Sequence, residues 1–119
     1  MMIPTQRYKP KYGNKKVQVD GITFDSKHEA NRYLELKLLE KANLISDLEL
    51  QKKFELIPTQ RDDKGKVIER SANYIADFYY YDKTLNKYIC EDSKGYRNDL
   101  YILKKKLMRY VYGIEIIET

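Results

Sequence analysis

The stretch that decides the fold is 71–94, SANYIADFYYYDKTLNKYICEDSK. Two runs rich in β-formers, 71–81 and 88–94, flank a turn-like segment at 82–87, so the stretch reads as a β-hairpin. With the loop centred between Thr84 and Leu85, Tyr81 faces Tyr88, Tyr79 faces Cys90 and Asp77 faces Asp92. Directly opposed residues have Cβ atoms about 5 Å apart, and like charges there repel. A facing pair of carboxylates therefore asks for a cation, and hard ions such as Mg²⁺ take carboxylate oxygens. Strand alternation sends Asp92 and Lys94 to one face and Glu91 and Ser93 to the other. That parity selects Asp92 over Glu91 as the candidate ligand, unless a bulge reverses it. An ammonium at Lys94 beside a metal-bound water could orient or deprotonate that water for attack on phosphorus. A surface Asp–Lys pair on an edge strand is the other reading these residues allow.

Working outward, Val17–Val19 and Ile22–Phe24 alternate around Asp20-Gly21, a dipeptide that favours a type I′ hairpin turn. Ser26 followed by Glu29 has capping-box spacing and opens a helix from Lys27 to about Ala42, with Ala30, Tyr33, Leu34, the Lys37 stem and Leu38 as its apolar stripe. Residues 45–57 read as extended, and 60–70 as a charged connector with a Lys64-Gly65 turn. A second helix spans 98–112 with Leu100, Leu103, Leu107 and Val111 on one face, Gly113 as its C-terminal cap, and a short strand at 114–118. The order hairpin-α-β-β-β-α-β predicts an α/β fold, a mixed sheet flanked by helices. The pentapeptide Ile-Pro-Thr-Gln-Arg occurs at 3–7 and again at 57–61, without flanking similarity that would make a repeat protein.

The 119 residues suffice for one domain, here 17–119 behind a basic arm at 1–16. No apolar run reaches the roughly 20 residues of a membrane span, and 12 Tyr with 3 Phe exceed what a disordered chain carries. A single cysteine, Cys90, closes no internal disulfide and fits a reducing, cytoplasmic setting. The net charge of +5 is uneven. Residues 1–20 carry +4 (Arg7, Lys9, Lys11, Lys15 and Lys16 against Asp20), residues 94–113 carry +5 (Lys94, Arg97, Lys104, Lys105, Lys106 and Arg109 against Asp99), and the remainder −4. Two basic blocks in an otherwise acidic chain point to a polyanion, with nucleic acid the leading candidate and solvated lysine faces the alternative. Lys15, Lys16, Arg97, Lys104 and Lys105 are the candidate DNA contacts. Lys104 is placed nearest the apolar stripe, Arg97 and Tyr101, whereas Lys105, Lys106 and Arg109 are expected to look outward. His28 reads as a solvent-facing or capping residue. Gln51 and Lys53 are strand-surface residues that could touch substrate, and some of Tyr79–Tyr81 could stack on bases.

Asp77, a strand hairpin and then Asp92-Ser93-Lys94 resemble the motif that names the PD-(D/E)xK nuclease superfamily. Lys-Tyr-Gly-Asn-Lys-Lys at 11–16, Phe-Asp-Ser-Lys at 24–27, Ala-Asp-Phe at 76–78 and Glu-Asp-Ser-Lys-Gly at 91–95 are similar to a small phage-encoded family within it. Lys104-Lys105-Lys106-Leu107 and Tyr-Gly-Ile-Glu at 112–115 extend the likeness, which covers nearly the whole chain from about residue 11. Ala76 stands where the motif's name has Pro. The resemblance implies a restriction-endonuclease-like core and a metal-dependent DNA endonuclease. Asp77 and Asp92 would ligate Mg²⁺ (with Mn²⁺ as a substitute), Ser93 would do so through its carbonyl, Glu29 directly or through water, and Lys94 would act on the nucleophilic water. A domain with no appended recognition module fits recognition of DNA shape, such as Holliday junctions or other branched DNA, by a homodimer. A non-catalytic DNA-binding or phage assembly protein is the competing expectation.

Overall fold

The computed structural model describes residues 15–93 and 97–119. Two compact units result, the first closing at Asn43 and the second spanning Leu44–Thr119. Of the basic arm only Lys15 and Lys16 lie among the described residues, and the copy of the pentapeptide at 3–7 lies outside them.

In the first unit, β1 (Val17–Val19) pairs antiparallel with β2 (Ile22–Phe24). Asp20 and Gly21 both have positive φ, 53° and 76°, the pair of left-handed conformations that a type I′ turn demands. Helix α1 (Lys27–Lys41) starts at the N-cap Ser26, whose Oγ accepts the Glu29 N–H at 3.1 Å, while Glu29 Oε1 accepts the Asp25 N–H at 3.3 Å. Asn43, with φ 64°, provides the left-handed residue after the helix that glycine more often supplies. Tyr33 packs on Phe24 with ring centroids 5.0 Å apart, and its hydroxyl donates to Asp20 Oδ2 at 3.0 Å, tying helix to turn. The expected apolar stripe is only partly used. Ala30, Tyr33 and Leu36 are buried, whereas Leu34 and Leu38 are exposed.

The second unit holds a four-stranded mixed sheet of β3 (Ile45–Ile57), β6 (Ala72–Asp82), β7 (Lys87–Asp92) and β8 (Ile116–Glu118), in that order. The first three strands are antiparallel neighbours and β8 runs parallel to β7. Residues expected to be a connector instead form a two-stranded ladder, β4 (Gln60–Arg61) with β5 (Val67–Glu69), closed by the Asp62 carboxylate accepting the Lys64 and Lys66 N–H groups at 2.9 Å. Helix α2 (Asp99–Tyr112) links β7 to β8, the crossover that parallel neighbours require. Asn98 caps its start by accepting the Tyr101 N–H at 2.8 Å, and Gly113, φ 69°, closes its end.

Tyr101 and Met108 bury against Phe54, Leu56, Tyr74, Ala76, Cys90 and Ile116, with Leu107 partly buried beside them. This differs from the expected leucine stripe, since Leu100, Leu103 and Val111 are exposed. Tyrosine scores as half-polar in a hydropathy pattern, yet its ring is the larger apolar body once the hydroxyl finds a partner. The chain is thus mixed α/β, with the sheet mixed as expected and α2 packed on one of its faces.

Candidate functional site

The β6–β7 hairpin has the register inferred from its loop as far as Phe78 and Glu91, and the expected facing pair of Asp77 and Asp92 is not among the ladder's partners. Tyr81 lies opposite Tyr88, Tyr79 opposite Cys90 and Phe78 opposite Glu91. Asp82 Oδ1 accepts the Thr84 and Leu85 N–H groups at 2.9 Å, and Asn86 takes φ 59°, which together fix the loop. The ladder ends at Phe78–Glu91. Two residues further along β7's course, the Ser93 N–H donates to Asp77 Oδ2 at 2.7 Å, so the side chain of Asp77, not a main-chain carbonyl, receives that donor.

Asp77 also stands at a break in the β3–β6 ladder. The pairing runs from Glu55 to Lys52 on one side and from Leu50 to Glu49 on the other, skipping Gln51 and Asp77. Gln51 adopts φ 54°, costly for a residue with a side chain, and its amide Nε2 lies 3.4 Å from Asp77 Oδ1. Two packing facts measure the break. Tyr74 and Ala76 face the α2 cluster, and so does Tyr79, a parity that unbroken alternation forbids. Phe54 pairs with Tyr74, five positions from Tyr79, which on a straight strand puts Phe54 and Tyr79 about 17 Å apart. Their rings nonetheless meet edge to face at 5.2 Å between centroids. The sheet therefore bends at Gln51 and Asp77, and Asp77 projects from the bend, half-buried.

The two acidic residues at the end of β7 are both buried, Glu91 at 1% exposure and Asp92 at 0%. They serve opposite faces. Glu91 accepts the Tyr80 hydroxyl among Phe78, Tyr80 and Ile89, while Asp92 Oδ2 accepts the Tyr74 hydroxyl at 2.7 Å on the α2 face. The main-chain carbonyl of Asp92 accepts the Thr119 N–H at 3.0 Å. Burying a carboxylate costs several kcal/mol even after relaxation, and the neighbours register its field. Burial first, then the negative charges of Asp92, Glu91 and Asp77, push the Cys90 thiol up to about 12. Burial and then the Asp92 hydrogen bond push the Tyr74 hydroxyl well above its ordinary range. Tyr101 is raised by burial, its bond to Glu118 and the charge of Asp92.

Among the described residues no group of three or more His, Cys, Asp or Glu is arranged to hold a metal. Mg²⁺ does not need such a cage, because it is commonly held by one or two carboxylates with water and substrate phosphates completing its shell. Asp77 and Asp92, hard oxygen donors fixed by a main-chain N–H and a tyrosine hydroxyl, have the chemistry for that arrangement.

The other candidates are distributed as follows. Lys94 lies outside the described residues, and Ser93 is placed by its N–H bond to Asp77. Glu29, 6% exposed in the first turn of α1, has a local role as half of a capping pair. Lys16 is exposed beside Asp25 at 3.4 Å, Lys15 is exposed, and His28 faces solvent as expected. Lys104 is half-buried. Lys105, expected to look outward, instead reaches Glu118 Oε2 at 3.5 Å, where Arg97 Nε also arrives at 3.3 Å. Tyr101 and Lys105 lie four residues apart on one face of α2, and Arg97 reaches the same oxygen from just before the N-cap Asn98. Tyr74, Tyr101, Glu118 and the role of Gln51 escaped the sequence reading. The one available signal was a polar tyrosine on each element flanking a buried acid.

No curated protein and no solved structure matches the chain. A family model matches residues 9–116, a span that takes in the first hairpin, both helices, Asp77 on β6 and Asp92 at the end of β7. By that match the chain belongs to the family described as "Protein of unknown function (DUF1064)".

Proposed function

We propose that this chain is a metal-dependent DNA endonuclease built on a restriction-endonuclease-like core. The observation that carries the reading is a fully buried Asp92 followed directly by Ser93, whose N–H donates to the Asp77 carboxylate where both neighbouring ladders lapse. A fold that only needed a stable strand end would gain by placing apolar residues there. The order of a first helix, an antiparallel meander, a second helix and a final strand supports that reading.

In this reading Asp77 and Asp92 would hold Mg²⁺ or Mn²⁺, with the Ser93 carbonyl as a further oxygen. Such an ion supplies a water of lowered pKa and charge stabilisation at phosphorus. The chain's own residues set the geometry. The Ser93 N–H and the Gln51 amide aim the Asp77 carboxylate, and the Tyr74 hydroxyl holds one Asp92 oxygen in place. Lys94, which follows Ser93 in sequence and lies outside the described residues, would hold or move the proton of the attacking water. The basic residues of the chain would bind the DNA backbone, with branched or otherwise structured DNA as substrate and a homodimer supplying one site per strand.

The test is cleavage of labelled linear, nicked, flapped and four-way DNA in Mg²⁺ or in EDTA, beside Asp92→Asn. Metal-dependent cutting by the wild type, lost in the variant, is expected. Binding of DNA with no cutting in any metal would leave a non-catalytic DNA-binding protein, and equal cutting by the variant would remove Asp92 from the chemistry.

A further inference from the structure

Three donors converge on one oxygen next to the acidic strand ends. Glu118 Oε2 accepts the Tyr101 hydroxyl at 2.8 Å and lies 3.3 Å from Arg97 Nε and 3.5 Å from Lys105 Nζ. The donors come from the lead-in and first turns of α2, and the acceptor from β8, where Glu118 is in register with Asp92 on β7. The Tyr101 hydrogen bond first, and Lys105 and Arg97 besides, lower the Glu118 carboxyl from its ordinary value, so it stays anionic at neutral pH. A guanidinium, an ammonium and a phenol hydroxyl around one anionic oxygen are the donor set that also suits a phosphate oxygen.

We propose that Tyr101, Arg97 and Lys105 form a phosphodiester-binding subsite that Glu118 occupies in the free protein, and that a DNA backbone phosphate displaces the Glu118 carboxylate. The inference rests on the nuclease reading for its ligand, and it adds the phosphate contact, the residue that competes for it and the place beside Asp92. Competition by an internal carboxylate has a functional consequence. Arg97 and Lys105 are kept neutralised until a substrate offers an anion at that position, which favours DNA seated at the strand ends over DNA bound elsewhere. Arg97 is about half exposed and Glu118 and Lys105 about one-third, so exchange of one anion for another needs no opening of the core.

The experiment measures DNA affinity by fluorescence anisotropy in EDTA, where binding is read without cleavage. Glu118→Gln is compared with Glu115→Gln, an equal charge change at a residue 3.7 Å from Arg109, and both are repeated in an Arg97→Ala/Lys105→Ala background. Glu118→Gln is expected to tighten binding about fivefold beyond Glu115→Gln, and to lose that advantage when Arg97 and Lys105 are absent. Equal effects of the two substitutions, or an advantage that survives without the cations, would overturn the subsite. If Glu118→Gln fails to fold by circular dichroism, Arg97→Ala and Lys105→Ala alone still decide. Each is expected to weaken binding and lower the salt slope by about one, and unchanged slopes would refute the contact. Absence of cutting in Mg²⁺ with the coupling intact would remove the nuclease reading and leave the phosphate subsite. Absence of any DNA binding in EDTA would remove this inference as well.

Discussion

The acidic residues of the first unit and those at the end of the β6–β7 hairpin do opposite kinds of work. Asp20 sits in a turn and accepts from Tyr33, and Glu29 accepts the N–H of Asp25 at a helix start. The Glu29 bond is to a neighbour in sequence, and both acids stabilise the local shape they belong to. Asp77, Glu91 and Asp92 instead take their partners from other strands or across the hairpin, Ser93, Tyr80 and Tyr74, and two of them are fully withdrawn from water. The Glu29 carboxylate, though buried, satisfies a backbone N–H at a helix start that lacks a helical partner. Burial costs a carboxylate several kcal/mol, a cost that Glu91 and Asp92 bear with tyrosine hydroxyls as their partners.

The sharpest break of this comparison is removal of the charges themselves. Asp77→Asn and Asp92→Asn are expected to reduce metal-dependent cleavage at least ~100-fold, since even outer partners of metal ligands cost 10–100-fold. DNA affinity in EDTA should persist, because phosphate contacts lie on the basic residues. Loss of both cleavage and binding would mean that the acids hold the fold and nothing else.

A second test uses Cys90 as a probe of the field between the acids. With its thiol pushed up to about 12, a thiol-specific reagent at pH 8 should label the native protein orders of magnitude more slowly than the urea-unfolded chain. The same shift has a thermodynamic side. Because the folded value is raised from 9.0, stability is fully present below pH 9 and is lost as pH rises towards 12. Denaturation midpoints should therefore decline over that window, and a flat profile would contradict the burial of this group.

Tyr74→Phe and Tyr80→Phe compare the two faces of β7. Each removes a hydrogen bond to a buried carboxylate and is expected to destabilise by about 1–3 kcal/mol in urea titrations. Only Tyr74→Phe should also raise the Mg²⁺ concentration needed for cleavage, because only Asp92 is assigned to the metal. The smallest effect belongs to the first unit. Ser26→Ala removes the cap of α1 and should cost about 1 kcal/mol with no change in metal dependence.

The first hairpin, the capping pair and the β6–β7 register could be read from residues because turn and cap chemistry is local. Asp20-Gly21 permits two left-handed residues, and Asp82 with Asn86 fixes a loop whose centre determines every facing pair. The bend at Gln51 and Asp77 could not be read, since glutamine carries no preference for positive φ and the sheet imposes it from outside. The buried face of α2 departs from the leucine stripe for the same reason. Whether Leu103 or Tyr101 turns inward depends on Cys90 and Tyr74 beneath it and on Glu118 to take the hydroxyl. The acidic pair was visible as a pattern, while its tyrosine partners were visible only as composition.

The central claim is that Asp77 and Asp92 together bind a divalent ion, and calorimetric titration of Mn²⁺ into the protein tests it most directly. Saturable binding to the wild type, lost in Asp77→Asn and in Asp92→Asn while both variants keep their circular dichroism spectra, is the expected result. Mn²⁺ affinity equal in all three proteins, or no binding by the wild type, would contradict it.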